Sequence, residues 1–189
     1  MTVRARKKIR FSPKEIALQN QHLQVYHTRA DFGGESKDYY VIKFGRRAGI
    51  VAVREGCVLL VKQYRYLIDG QSLELPGGTV EEGEDLTEGA VRECLEETGL
   101  RCRNLRPLVV YYPGLDNVDN ETTVFVSRDV EQVRPFQGNP LEVSEIVWLP
   151  LNEAMELIRG RKILDAMTIA GLLAYQTERL GDRSGAEGR

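Results

Sequence analysis

The segment Gly78–Leu100, GTVEEGEDLTEGAVRECLEETGL, holds eight carboxylates and a single cation, Arg92, in 23 residues. Asp85 suits a helix N-cap, and Glu88 follows three residues later as its capping-box partner. Gly99 suits the left-handed position that closes a helix. A helix over Leu86–Thr98 follows from these two ends. At about 100° per residue, Glu93, Glu96 and Glu97 share one arc roughly 100° wide. Leu86, Ala90, Val91, Cys94 and Leu95 fill the next arc and would face a core. An ordinary solvated face would intersperse Lys at four-residue spacing, and charge alone leaves a merely acidic surface helix open. The other resolution of three mutually repelling carboxylates is a hard divalent cation with oxygen ligands. Gly89 lies on the carboxylate side and costs up to about 1 kcal/mol against Ala in a helix interior. The expected return is room for a metal or phosphate to approach the backbone.

The rest of the chain supplies strands and helices around this segment. His22–Phe32 and Lys37–Phe44 read as strands separated by Gly33-Gly34. Gly49–Val53 and Cys57–Tyr64 form a hairpin around Arg54-Glu55-Gly56, and their near-continuous apolar run predicts burial on both faces. Ser72–Leu75 is a short strand stopped by Pro76-Gly77-Gly78, which brings Glu74 close to the helix carboxylates. Cys102–Tyr112, Glu121–Val130 and Glu142–Pro150 are further strands, with a turn-rich loop at Pro113–Asn120. Leu151–Ile158 and Leu164–Tyr175 carry apolar residues at helical spacing. The fold class expected is α/β, a three-layer α/β/α sandwich with a mixed sheet and a small N-terminal antiparallel β appendage. The division expected is a basic arm at 1–19, the appendage at 20–47, the main domain at 48–179 and a disordered tail at 180–189. Two strands alone are marginal in water, so the appendage is expected to serve a homodimer.

With 189 residues, 42% of them hydrophobic and 29% charged, the chain suits one soluble domain and a small addition. A net charge of −2 creates no field favouring nucleic acid or a membrane surface. Three cysteines, Cys57, Cys94 and Cys102, without metal spacing fit a reducing, cytoplasmic setting. No apolar run approaches the roughly 20 residues of a membrane span.

Gly78, then five residues, Glu84, seven residues and Arg92-Glu93-Cys94-Leu95-Glu96-Glu97-Thr98-Gly99-Leu100 resemble the Nudix box. That box is the signature of hydrolases of nucleoside diphosphates linked to another moiety. Cys94 departs from it, standing where the family usually has a bulky aliphatic; a buried Cys packs as a small hydrophobe. Across about residues 20–178 the pattern is similar to the ADP-ribose pyrophosphatase branch. The pieces are Val61-Lys62-Gln63-Tyr64-Arg65-Tyr66, Glu74-Leu75-Pro76-Gly77-Gly78, Tyr112-Pro113-Gly114, Asn120-Glu121, Trp148-Leu149-Pro150-Leu151 and Asp165-Ala166-Met167-Thr168. That branch often has Pro-Ala-Gly at Pro76-Gly77-Gly78 and a shorter loop than Gly114–Asn120, and relatives acting on GDP-mannose share much of the layout.

The resemblance implies Mg²⁺ or Mn²⁺ held by Glu93, Glu96, Glu97 and the backbone carbonyl of Gly77, and hydrolysis of ADP-ribose to AMP and ribose 5-phosphate. It makes Arg92, on the helix side away from the metals, a holder of Glu84 or of another carboxylate. It offers Glu142 as general base, with Glu145 as runner-up. Arg65, at a strand end, suits a phosphate fork. Arg46 and Arg47 could reach a nucleotide across a dimer, Glu74 is a further substrate-binding candidate, and Glu121 could add a ligand for metal or water. The competing expectations are a GDP-mannose or other nucleotide-sugar pyrophosphatase and a non-catalytic ADP-ribose sensor.

Overall fold

The computed structural model describes residues 9–139 and 142–186, with side chains as far as residue 181. The first eight residues of the expected basic arm and the last three of the expected tail lie outside the described residues. In chain order come β1 (Arg10–Phe11), β2 (Glu15–Gln19), β3 (Gln24–Asp31), β4 (Ser36–Lys43), β5 (Arg47–Arg54) and β6 (Cys57–Arg65). A 3-10 turn at Tyr66–Ile68 leads to β7 (Gly70–Glu74) and β8 (Gly77–Thr79). Then follow α1 (Leu86–Thr98), β9 (Leu100–Arg103), β10 (Arg106–Tyr111), β11 (Val118–Asp119), β12 (Thr122–Ser127), β13 (Asp129–Gln132), β14 (Val143–Pro150), α2 (Leu151–Arg159) and α3 (Ala166–Ala186).

These elements divide into two compact units. One comprises the chain up to Gly45 together with Tyr112–Glu121; the other comprises Arg46–Tyr111 and the chain from Thr122 onward. In the first unit β3 and β4 pair antiparallel from Gln24–Lys43 to Asp31–Ser36. β1 and β2 both pair with β3, and β11 runs parallel to β4 on the far side. The turn-rich loop 113–120 thereby joins the N-terminal sheet, and the Asn120 amide donates to the Gly45 carbonyl at 2.9 Å.

The second unit is built on β5. Its upper end pairs with β6 through a two-residue turn in which Glu55 (φ 52°) and Gly56 (φ 79°) both adopt left-handed backbone. That is the type I′ geometry whose twist suits a tight hairpin. Beyond Val53 the strands separate, and β5 pairs with β8 while β6 pairs with β7 and β14. On its other side β5 is parallel to β12, which is antiparallel to β10.

Alternation along β5 and β6 sends side chains into two separate cores. Ile50, Ala52 and Leu59 pack with Ala90 and Cys94 of α1. Val51, Val53, Val58 and Leu60 pack with Leu151 and Ala154 of α2 and with Met167, Leu172 and Tyr175 of α3. This is the α/β/α sandwich the sequence predicts, with the central strands buried on both faces.

Several segments differ from the sequence expectation. Within the arm expected at 1–19, Arg10–Phe11 and Glu15–Gln19 are strands paired with β3, and within the expected loop Val118–Asp119 is a strand beside β4. The strand expected over Cys102–Tyr112 breaks at Asn104, whose φ of 52° is a left-handed conformation that Asn tolerates. The strand expected over Glu121–Val130 breaks beside it at Arg128, where the Ser127 hydroxyl donates to the Arg103 carbonyl at 2.6 Å. The two bends together let β9 and β13 leave the large sheet and pair as a separate ribbon. At the C-terminus α3 continues through Ala186, into the segment expected to be disordered, because extending a formed helix adds one hydrogen bond for each residue fixed.

Candidate active site

α1 starts and stops where its caps dictate. The Asp85 carboxylate accepts from the N–H groups of Thr87 (2.8 Å) and Glu88 (3.3 Å), and Gly99 closes the helix at φ 73°. These two bonds hold Asp85 below the ordinary Asp range. The helix lies beside β8, where two glycines make close approach possible. A Cβ on Gly77 would stand 2.4 Å from the Ala48 carbonyl oxygen, and one on Gly78 would stand 2.5 Å from a Glu93 carboxylate oxygen. The space left by the missing Gly78 side chain is therefore where the Glu93 carboxylate sits. Gly89 does the same for Glu84, whose carboxylate would lie 2.9 Å from an added Cβ. That corrects the expectation that Gly89 makes room for a metal or phosphate.

Arg92 holds Glu84, as expected, and reaches two further carboxylates as well. Its Nε and Nη2 bind Glu84 at 2.9 and 3.1 Å, its Nη1 binds Glu93 at 2.9 Å and Glu96 at 3.3 Å, and its Nη2 also binds the Thr79 carbonyl at 3.0 Å. One long side chain thus ties the loop before α1, the end of β8 and two helix carboxylates together. The Arg92 bonds, joined by the Glu81 N–H, pull Glu84 below the ordinary Glu range. Burial raises Glu93 above it despite Arg92, with Glu96 raising it further and the charge of Arg47 opposing.

Glu97 is the most perturbed of these groups. Burial pushes it up to about 7 against an ordinary value of 4.5, the Gly77 N–H at 2.9 Å pulls it back, and the Glu93 and Glu74 carboxylates raise it again. The native state then holds this proton more tightly than the unfolded chain does. In protein stripped of divalent cations, the Glu97 contribution to stability should fall as pH rises from about 4.5 to about 7 and stay level above that. Glu93 acts in the same sense. Melting temperatures measured across this window with a chelator should decline, and saturating divalent cation should flatten the slope. A midpoint rising through the window would contradict the burial of Glu97.

Glu93, Glu96 and Glu97 line a cavity of about 240 Å³ together with Gln63, Gln137, Asn139, Glu142 and Val143. Glu93, Glu96, Glu97 and Glu142, all candidates from the sequence, come together in this one hollow. Asn139 orients Glu142, its side-chain amide donating to a Glu142 carboxylate oxygen at 3.0 Å. A larger cavity of about 360 Å³, between Gly56, Leu151 and Leu180, has no carboxylate among its described lining residues. Size and chemistry disagree here, and chemistry marks the smaller one.

The donor set of the smaller cavity consists of oxygens, which suits a hard divalent cation. Among the described residues no three Asp, Glu, His or Cys side chains form a closed cage for a metal. Glu93 is turned to Arg92, and Glu97 to the Gly77 N–H. The fit is to an ion such as Mg²⁺, which keeps waters and takes only one or two protein carboxylates besides substrate phosphates.

The remaining candidates are placed differently. The Arg65 guanidinium makes a two-pronged pair with Glu74, Nε at 2.7 Å and Nη2 at 2.5 Å, and Gln63 adds a third donor to Glu74 at 3.2 Å. Glu74 is 4% exposed, so Arg65 is engaged in compensating a buried charge. Substituting Arg65 by Met should cost about 1–3 kcal/mol for the hydrogen bonds lost from a buried carboxylate. Thermal denaturation measures this; an unchanged midpoint with a raised KM would return Arg65 to phosphate binding. Arg46 donates to the Glu84 carbonyl at 3.0 Å and anchors the loop before α1. Arg47 lies on β5 opposite Thr79. Glu121 belongs to the N-terminal unit, where it accepts from the Tyr112 hydroxyl at 2.6 Å. Gln63, Asn139 and Thr168 had no role in the sequence reading. The Thr168 hydroxyl accepts from the Leu75 N–H at 2.8 Å and donates to Asp165 at 2.7 Å, fixing the approach to Gly77 from 93 residues away.

Residues 43–168 match the NUDIX domain. The chain is 36% identical over 146 residues to the CMP-5'-(N-acetyl-N-hydroxy-3-aminopropyl)phosphonate hydrolase of Streptomyces rubellomurinus, covering 75% of this chain and 69% of that protein. It is 29% identical over 161 residues to the ADP-ribose pyrophosphatase of Bacillus subtilis, covering 84% and 83%. The crystal structure of an ADP compounds hydrolase superposes with a TM-score of 0.80 at 18% identity, over 95% of this chain and 98% of that one, and so shares the fold. With its box residues gathered on one loop and helix, and with two thirds of its length matched, the chain belongs to the NUDIX family of hydrolases.

Proposed function

We propose that the protein hydrolyses the pyrophosphate bond of a nucleoside diphosphate joined to a sugar, with ADP-ribose cleaved to AMP and ribose 5-phosphate. The observation that carries this reading is the placement of Glu93, Glu96 and Glu97 across one cavity from Glu142. The similarity to the Bacillus subtilis ADP-ribose pyrophosphatase supports the choice of substrate. Two or three Mg²⁺ ions, or Mn²⁺ in their place, would be held among Glu97, Glu93, Glu96 and the Gly77 carbonyl oxygen, each taking one or two of these carboxylates. When bound, the ions supply positive charge for the pyrophosphate oxygens and lower the pKa of a neighbouring water.

The chain's own groups do the rest by position, as phosphoryl transfer requires. Glu142, steadied by Asn139, takes the proton of the attacking water. Arg92 keeps Glu93 and Glu84 in fixed orientation, as partners behind ligating carboxylates do. Gly77 and Gly78 let backbone and carboxylate approach without a side chain between them. Purified protein with Mg²⁺ should be incubated with ADP-ribose, GDP-mannose, UDP-glucose, NADH and dinucleoside polyphosphates, and the products identified by chromatography. The highest kcat/KM on ADP-ribose, yielding AMP, is the expected result. Preference for GDP-mannose would move the assignment to that sugar; no cleavage of any substrate would end the nucleotide-sugar reading.

A homodimer formed through the N-terminal strands belongs to the same proposal. Ile16, Leu18 and Tyr40 of β2 and β4 are exposed apolar or aromatic side chains there. Sedimentation should give twice the chain mass, and Ile16→Lys with Leu18→Lys should return it to one.

A further inference from the structure

We propose that Cys94 and Cys102 form a peroxide-oxidisable dithiol whose disulfide disables the carboxylate-bearing helix. Cys94 lies in α1 between Glu93 and Leu95, and Cys102 lies in β9 just after the Gly99 turn. Their sulfurs are 3.8 Å apart, and the residues are 0% and 2% exposed. Both are reduced, as is the half-buried Cys57 of β6. Two thiols in contact across one helix-to-strand turn need only a small shift to bond. A disulfide holds its sulfurs about 2.05 Å apart, so these must approach by roughly 1.7 Å.

The reaction balances with a hydroperoxide as oxidant. The Cys102 sulfur attacks the peroxide oxygen, the O–O bond breaks, and the alcohol, or water from hydrogen peroxide, leaves with the thiol proton. The Cys94 sulfur then attacks the Cys102 sulfenic sulfur and expels water. Two thiols and one hydroperoxide thus give one disulfide, one alcohol or water, and one water; the sulfurs lose the two electrons that the O–O bond gains. Access comes through β9, a four-residue strand whose sheet contains only β13 besides, the kind of element that opens locally.

The consequence for hydrolysis rests on the reading proposed above. Closing the pair pulls the turn of α1 that carries Glu93, Glu96 and Glu97 toward β9. The same turn carries the 2.9 Å bonds from the Gly77 N–H to Glu97 and from Arg92 to Glu93, which its displacement would strain. Misplacement by about 1 Å can cost on the order of a hundredfold in rate.

The test is exposure of reduced full-length protein to hydrogen peroxide, followed by alkylation and tryptic mapping without reductant. The expected product is residues 93–101 linked to residues 102–103, two hydrogens lighter than the reduced pair, with one alkylatable thiol left. Hydrolysis should fall at least about tenfold and return with dithiothreitol. Cys57→Ser should behave as wild type, while Cys102→Ser and Cys94→Val should keep their own starting rates under peroxide. Three alkylatable thiols after exposure would overturn the dithiol, whatever the activity. A linked peptide with an unchanged rate would overturn its effect on the helix, and absence of hydrolysis in the reduced protein would instead count against the proposed activity.

Discussion

Glu97→Gln should lower kcat by about 10³–10⁴ while raising the melting temperature of the metal-free protein at neutral pH. The two effects share one cause. Burial and the neighbouring Glu93 and Glu74 carboxylates push Glu97 up to about 7, so its ionised form is unfavourable in the native state. A neutral amide of the same shape removes that penalty and can still accept the 2.9 Å bond from the Gly77 N–H. The charge it removes is the one the proposed chemistry uses to offset a cation at the pyrophosphate, and preorganised charge is the dominant contribution to such catalysis. A site retained at the expense of stability is the usual trade at functional positions. Steady-state rates and thermal denaturation of the same preparation decide this. A rate within a few-fold of wild type would remove Glu97 from the mechanism, and a lower melting temperature would show that its ion is stabilising.

Glu142→Gln should reduce kcat by about 10²–10⁴ with KM little changed, the range for loss of a general base. The carboxylate faces the same cavity as Glu93 and Glu97, and one oxygen is held by the Asn139 amide at 3.0 Å. A variant at near wild-type rate would remove Glu142 from the mechanism and transfer the proton to another group. Glu145, the runner-up from sequence, is paired with Lys62 at 3.1 Å and does not line the cavity.

Short-range signals made α1 legible in advance. Its ends at Leu86 and Thr98, its Asp85 cap and its Gly99 stop follow from groups within a few residues of one another. The burial of Cys94 and Ala90 against β5 followed from the period of the helix. Arg92 was legible as a holder of Glu84, which it binds at 2.9 and 3.1 Å, but its further reach to Glu93 and Glu96 was not, because a helical wheel assigns a direction only to the Cα–Cβ bond and a side chain of this length folds back. The pairing of Arg65 with Glu74 depends on β6 and β7 lying antiparallel, so it waits on tertiary register. Thr168 could not be found from spacing, because its partner Leu75 is brought to it only by the packing of α3 on the sheet. The breaks at Asn104 and Arg128 escaped for a related reason: each is tolerated locally and is needed only because the other occurs alongside it.

The parallel pairing of β5 with β12 bears on the order in which the second unit is made. Arg47–Ala52 pair with Thr122–Ser127, so some seventy residues must be synthesised after β5 before that edge is covered. Until then this largely buried strand presents a bare row of backbone donors and acceptors, the template on which strands of other chains add. The box helix, made of near neighbours, can form early, whereas the sheet beneath it depends on non-local contacts that are slow to close. Nascent or heat-opened chains are therefore exposed to edge-to-edge association at β5, and the segment to guard in handling this protein is Thr122–Ser127 rather than the acidic loop.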